Sequence, residues 1–424
     1  MIFLEFESCP ADPDICVRKG LKANGDKYWE YVLLYTDDCL VVSENGMDII
    51  KKEIGKYFTF KPESIMKPDP MIYLGGKLSQ VKVNNMDAWS FSSTQYVTES
   101  VRNVEKTLKE KFEKNKNFGG PNLSTKAGAP LSTDYHPEID MTPELNLEDA
   151  AYYQSLIGIL RWMVELGRVD ICCEVSMMSS CLALPREGHL KQLFHIFSYL
   201  KGRLNTELIF DPTYPDIDLD QFPEADWTGT PYYQGEGSLK EELPPDAPET
   251  RGLPVVMSAF VDSDHAGDRV TRRSRTGFLV YCNSALIYWS SKKQNSCETS
   301  SFGSEFVAMK QAAEYIRGLR YKLRMMGIGI AGPCFIYGDN QSVLVNSSVP
   351  DSQLKKKSNS IAYHFVREGV AKKEWRITYI NTHDNKADML TKNLPPGVKR
   401  DKFVRETIHH ISVVRIRKRS RTHS

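Results

Sequence analysis

Short apolar runs set off by polar or turn-forming residues organise the second half of the chain. Val255–Val261, Thr276–Cys282 and Leu286–Ser290 are apolar and rich in β-forming residues, and Asn283 and Ser284 make a tight turn between the last two. Connections this short predict an antiparallel three-stranded meander. Cys334–Tyr337 and Trp375–Ile380 predict a fourth and a fifth strand. Between strands three and four the period changes. Glu305, Met309, Ala312, Ile316, Leu319 and Leu323 recur at steps of three and four, which places them on one helix face. That face is apolar except at Glu305, and a carboxylate in the buried register is costly unless a positive charge meets it. Ser300, Ser301 and Ser304 suit a helix start.

The first half reads differently. Tyr31–Tyr35 and Cys39–Val42 are apolar runs with Thr36, Asp37 and Asp38 between them, the pattern of a hairpin with two acids at its tip. Asp is also a common turn residue, so a plain polar turn accounts for the pair as well. Met47–Phe60 predicts an amphipathic helix, Tyr73–Leu78 a short strand with a glycine approach point, and Val101–Lys116 a charged helix. Asn117–Leu131 reads as a loop. Ala150–Lys201 predicts two helices separated at Pro185. Asp211–Arg251 is rich in Pro, Asp and Glu, cannot bury enough apolar surface to fold alone, and reads as a linker.

Length and composition narrow the classes. At 424 residues the chain has room for two or three domains, and 41% hydrophobic content supports ordinary packed cores. The 55 basic and 54 acidic side chains leave a net charge of +1, so attraction to nucleic acid must come from local patches. Nine scattered cysteines without CxxC spacing argue against a zinc site or a disulfide framework and suit a reducing compartment. No apolar run is long enough to span a membrane, and the opening MIFLEFES is too short and too acidic for a signal peptide.

The candidate chemistry lies in four acids. Asp262 ends the first apolar run, Glu305 opens the long helix, Asp339 follows Gly338 at the end of the fourth strand, and Asp388 lies beyond the fifth. A solvated surface charge is the ordinary reading of any one of them. Four, each tied to the end or start of an apolar element, suit two hard divalent ions about 3.5–4 Å apart, which activate water and stabilise a leaving oxygen. Asp264 shares a strand face with Asp262, but Asp262 directly ends the apolar run. Glu224–Gly229 carries an acid–Trp–Gly pattern without a preceding apolar strand. Arg269, Arg272, Arg273 and Arg275, then Lys292 and Lys293, then Lys355, Lys356 and Lys357 form three basic clusters. Each alone suits a solvated face; together around one acidic centre they favour contacts to a phosphate backbone. His383 is either a proton relay or an ordinary loop histidine.

The segments VDSDHAGD followed by RRSRTG, then WSSKKQ, SEFVAM, GDNQSV, YHFVREG and ADMLTK cover nearly all of residues 259–394 and resemble the ribonuclease H domain of copia-type retrotransposon polyproteins. The resemblance implies an α/β (α+β) fold: an RNase H-like mixed five-stranded sheet with flanking helices. It implies hydrolysis of the RNA strand of an RNA–DNA hybrid by two Mg²⁺ (or Mn²⁺) ions, with Asp262, Glu305, Asp339 and Asp388 as catalytic, metal-binding acids. Arg272, Arg273, Ser274, Lys292, Lys293, Asn340 and Gln341 are the expected nucleic-acid contacts. ADPDICVRK, YTDD and YLGGKL resemble the back half of a copia-type reverse-transcriptase palm, whose metal-binding acids fall on Asp37 and Asp38. A third palm acid belongs upstream, so polymerisation is not expected of this chain without a missing half from a longer precursor or another chain. Residues 150–210 resemble the thumb or connection of that family, with Arg161, Arg168 and Lys201 as candidate duplex contacts. The expected division is a truncated palm (1–83), a variable helix and linker (84–149), the helical thumb or connection (150–210), a Pro/acid-rich linker (211–253), the RNase H domain (254–395) and a basic tail (396–424). The alternative function is a catalytically inactive nucleic-acid-binding remnant. The IRKRSR run at 416–421 suits a nuclear import signal or a nonspecific basic tail, and the expected compartments are the cytoplasmic particle, the nucleus or both, away from membranes.

Overall fold

The structure, a computed structural model, describes residues 1–36, 38–60, 69–114, 120–354 and 359–410. The amino-terminal strands β1 (Glu7–Cys9), β2 (Asp12–Leu21), β3 (Lys27–Tyr35) and β4 (Asp38–Val42) form one antiparallel sheet in chain order. The helix expected at Met47–Phe60 is a mixed one. It opens as α1 (Gly46–Asp48), widens into a π turn at Ile49–Glu53 and tightens into a 3-10 turn at Ile54–Lys56. Ile49 and Ile54 from it pack on Phe6, Cys16 and Val32.

Next come β5 (Met71–Tyr73), β6 (Gly76–Val83), β7 (Met86–Ser92) and α2 (Thr94–Lys114), then α3 (Leu147–Glu165), α4 (Cys172–Ser179), α5 (Glu187–Lys201) and β8 (Thr206–Phe210). Where two helices were expected between Ala150 and Lys201, three form. Gly167 takes a left-handed φ of 97°, which ends α3 ahead of a 3-10 turn at Val169–Ile171.

The second half builds β9 (Met257–Ser263), β10 (Arg275–Cys282), β11 (Ala285–Lys293), α6 (Ser301–Met325), β12 (Cys334–Gly338), α7 (Gln341–Ser348), α8 (Ser360–Ala371), β13 (Trp375–Tyr379), α9 (Val398–Thr407) and β14 (His409–His410). The sheet order is β11-β10-β9-β12-β13. β9, β10 and β11 are antiparallel, and β12 runs parallel to both β9 and β13. A three-stranded meander, a long helix and two parallel strands added at the β9 edge make the RNase H-like fold. β9 reads as a nearly continuous apolar run because both of its faces are covered. On one face Phe306, Met309, Ala312 and Ile316 of α6 and Val366 of α8 meet Ala259, Val280 and Ile336. On the other, Leu279, Tyr281 and Leu286 enter a core made by α3, α4 and α5 together with Met389, Leu390 and Phe403. The helical segment therefore supplies one side of the nuclease-like unit.

Two expectations change here. Residues 211–253 contain one short 3-10 turn, at Leu219–Gln221, yet they strap the RNase H-like unit. Phe222 is buried edge-on against Phe335 and Tyr337 at 4.9 and 5.4 Å. Trp227 lies under the Arg367 guanidinium at 4.8 Å, and Glu241 pairs with Arg320 at 2.6 Å. The segment from 396 is not a plain tail either. α9 buries Phe403, and β14 pairs with β8, extending the sheet β14-β8-β7-β6-β5. The basic run at 416–421 lies outside the described residues.

Candidate metal centre

Asp262 is the last residue but one of β9 and is 1% exposed. Its register partner on β10 is Gly277, where a side chain would strike Leu390 and Thr391, so the 3-10 turn at Lys386–Leu390 lies directly over this end of the sheet. Asn385 fixes that turn, donating from Nδ2 to the Val261 carbonyl at 2.9 Å. Glu305 stands in the first turns of α6, whose start is capped by Ser300 Oγ accepting the Gly303 N–H at 3.3 Å. Gln294 ties the pieces together: its Nε2 donates to the Ser304 carbonyl at 2.9 Å, Thr276 Oγ1 at 3.1 Å and Ser263 Oγ at 3.3 Å. Asp339 follows β12 and accepts from Thr382 Oγ1 at 2.8 Å.

One carboxylate oxygen each from Asp262, Glu305 and Asp339 lie within 4.8 Å of one another. Among the described residues this is the group of acids that could hold an ion. Burial, reinforced by the Asp388 and Asp339 charges and opposed by Lys392, pushes the Asp262 carboxyl up to about 7. Burial also raises Glu305 well above the usual carboxylate range, with Asp262 and Asp339 adding to it. Like charges this close cannot all ionise cheaply without a cation. A set of hard oxygen donors from three separate elements fits a divalent ion of the Mg²⁺ type.

Asp388 is placed differently. It is buried in the 3-10 turn, and both of its oxygens are taken: Oδ1 by Lys392 and Oδ2 by Lys399. Burial alone would raise its carboxyl, but the two lysines outweigh burial and hold it below the usual range. Lys392 also approaches Asp262 Oδ2 at 3.7 Å, and Thr391 donates its hydroxyl to the same oxygen. Asp264, the alternative on the same strand face, is pushed up to about 6 by burial and accepts the Arg275 N–H instead of joining the cluster.

No protein-family model matches the chain. Over 258 residues it is 27% identical to the retrovirus-related Pol polyprotein from transposon RE1 of Arabidopsis thaliana, covering 61% of this chain and 15% of that one. Over 382 residues it is 24% identical to the corresponding polyprotein from transposon TNT 1-94 of Nicotiana tabacum, covering 88% and 24%. The chain is a copia-type Pol polyprotein relative. It spans less than a quarter of the length of these polyproteins. Among solved structures it is similar to an N-terminal RNase H domain from Mycobacterium tuberculosis (13% identity, 36% of this chain and 97% of that one, TM-score 0.26). It is also similar to LC11-RNase H1 in complex with an RNA/DNA hybrid (14%, 32% and 93%, 0.27). The fold assignment of this Pol relative stands on strand order and register.

The other expected contacts of this Pol relative scatter around the acids. Arg272 and Arg273 are exposed on the loop before β10, with Arg272 at a left-handed φ of 55°. Ser274 is buried beneath them, its hydroxyl accepting the Ala266 N–H at 3.0 Å. Lys292 is exposed on β11, and Lys293 pairs with Asp268 at 2.6 Å. Arg273, Arg275, Lys293 and Lys392 line a cavity of about 430 Å³ together with Asp264 and Tyr135. Asn340 caps α7 by accepting the Val343 N–H at 3.2 Å, while Gln341 is exposed. His383 is exposed on the turn after β13. Lys355, Lys356 and Lys357 lie outside the described residues.

In the amino-terminal sheet Asp38 opens β4 opposite Tyr35 and is exposed, and Asp37 lies outside the described residues. Arg168, expected at a duplex, is a correction: it is fully buried and donates to Asp170 at 2.9 and 2.8 Å. Lys201 is likewise engaged, by Glu105 at 2.6 Å. The sequence reading passed over Lys392, Lys399, Thr391 and Gln294. Lys392 and Thr391 lie inside ADMLTK, and the four-residue step from Asp388 to Lys392 was a visible sign of pairing. Lys399 lies past the motif and had no such sign.

Proposed function

We propose that this chain hydrolyses the RNA strand of an RNA–DNA hybrid at the Asp262–Glu305–Asp339 cluster, with a divalent ion held there. The observation that supports this best is the convergence of three carboxylates, from β9, α6 and the end of β12, within 4.8 Å. Those three residues would hold Mg²⁺ or Mn²⁺, and the bound ion would supply Lewis acidity toward a phosphoryl oxygen and a water. Thr391 and Thr382 orient two of the three carboxylates. Arg272, Arg273 and Lys292 are the exposed cations for phosphate contacts, which position the strand without reading sequence. Preference for RNA needs a contact to the 2′-hydroxyl, and exposed Gln341, two residues beyond Asp339, is the side chain we assign to it.

The β3–β4 hairpin receives no chemistry in this proposal. Polymerisation would fall to a partner or to further sequence of a longer polyprotein. Among the described residues no helix is long and apolar enough to cross a membrane.

The test is cleavage of an end-labelled RNA strand in a hybrid by the full chain, with Mg²⁺ or Mn²⁺ and with a chelator. Cutting of the RNA strand alone, lost with the chelator, is expected. A chain that binds the hybrid but leaves it intact with either metal would establish the inactive remnant instead.

A further inference from the structure

Four acids sharing two ions was the arrangement expected from sequence, and it requires Asp388 to offer an oxygen. In the structure each oxygen of that residue already meets a lysine ammonium. Lys392 follows Asp388 by four residues in the same turn and meets Oδ1, while Lys399 from the first turn of α9 meets Oδ2. Lys392 then reaches across to Asp262, its Nζ 3.7 Å from Oδ2. One ammonium thus sits between the three-acid cluster and the fourth acid, where a second divalent ion would have to bind.

We infer that Lys392 supplies the second positive centre of this site, so that the chain loads one divalent ion, on Asp262, Glu305 and Asp339, with the lysine standing in for the other. The inference rests on the nuclease proposal for its substrate, a phosphodiester, but its ion count is independent of that proposal. Three features support it. Asp388 is committed to two charge-assisted bonds that an incoming ion would have to break. Lys399 is itself held in place, because the adjacent Arg400 donates to Glu174 at 2.9 Å and to the Asp170 carbonyl at 2.6 Å. A divalent ion bridging Asp262 and Asp388, both 1% exposed, would also face the Lys392 ammonium at contact distance, and like charges that close repel. Lys392 lines the cavity that holds Arg273 and Arg275, so its charge also faces the side on which the basic residues gather.

The experiment is calorimetric titration of the full chain with Mn²⁺, alone and with a hybrid whose RNA strand carries non-cleavable linkages. Wild type, Lys392→Met and Lys392→Arg are compared, with hybrid cleavage measured in parallel. Wild type should bind one ion per chain in both states. Lys392→Met should bind a second ion in the presence of hybrid and lose about 100-fold in kcat, the scale of one lost charge-stabilising group, with KM little changed. Lys392→Arg should keep one ion and recover part of kcat. Two ions in the wild type overturn the inference, as does a folded Lys392→Met that still binds one. The wild-type count decides the matter even where a variant does not fold. A wild type that binds one ion and never cleaves removes the nuclease function and leaves the ion count standing.

Discussion

Replacing Arg400 with methionine probes the joint between the nuclease-like unit and the helical segment. The Arg400 side chain is 2% exposed, and its guanidinium donates to Glu174 Oε1 at 2.9 Å, the Asp170 carbonyl at 2.6 Å and the Leu394 carbonyl at 3.3 Å. Glu174, on α4, is 0% exposed. Methionine keeps much of the aliphatic stem, so little cavity opens, but it strands a buried carboxylate. Breaking one side of a buried pair costs about 3–5 kcal/mol. At about 2–4 °C per kcal/mol, a melting temperature lower by about 10 °C follows. Burial already raises the Glu174 carboxyl, with Arg400 opposing. Without Arg400 the rise is larger, and the folded state then holds a proton that the unfolded chain releases. Stability of the variant must therefore fall as pH rises toward and through the folded-state pKa, so its penalty is smaller at pH 5.5 than at pH 8. Adding Glu174→Met removes the stranded charge and should recover most of the loss. Thermal melts of the two variants and wild type at both pH values read this out. A single variant within 2 °C of wild type at pH 8, or a double variant no more stable than the single, would refute the reasoning (about the reproducibility of such melts against the expected shift).

Four further outcomes follow from the same geometry. Asp339→Asn should weaken Mn²⁺ binding by more than about tenfold, as expected for losing one of three charged oxygen ligands, and abolish cleavage; calorimetry and the hybrid assay both read it, and wild-type affinity would count against the cluster. Because Asp262 is pushed up to about 7 and Glu305 well above the usual range, the metal-free acids retain protons near neutrality. Metal affinity should accordingly rise between about pH 6 and pH 8 with proton release, measurable in buffers of different ionisation enthalpy, and a flat profile would contradict it. Gly277→Val should destabilise by about 1–3 kcal/mol, since a Cβ there lies 2.7 Å from Leu390 Cβ and Thr391 Cγ2; a chemical-denaturation midpoint checks it. A fragment cut at residues 254–395 should aggregate or bind a hydrophobic dye, whereas one spanning 69–410 should not, because only the longer piece keeps α2 to α5 and so covers Leu279, Tyr281 and Leu286.

The parts of the fold that could be read from sequence are those whose burial is symmetrical or sharply one-sided. β9, β10 and β12 are covered on both faces, so their apolar runs stand out, and Glu305 is conspicuous as the polar member of an apolar stripe. β7 escaped because its inward positions are Ala88, Ser90 and Ser92, which leave no apolar alternation to detect. Residues 211–253 hold one short 3-10 turn as their only regular structure, but composition is silent on which aromatics among many acids will dock; Phe222 and Trp227 turn a spacer into a strap. The same limit governs the site. An apolar run announces that a strand is buried and says nothing of what buries it, so the covering of the second face by α3, α4 and α5 was not legible. A charged residue announces a charge and not its partner: Arg168 looked like a surface cation, and Asp388 like an acid with no lysine partner. Each is resolved by a neighbour close in sequence, Asp170 and Lys392, whose charge is opposite. Burial turns the Arg168–Asp170 pair from a weak surface contact into a commitment, because neither ion can return to water without unfolding its surroundings, whereas Asp388 is buried and Lys392 keeps one side toward water. The Asp388–Lys399 pair ties the candidate metal centre to α9 and, through Arg400, to the helices beneath the sheet.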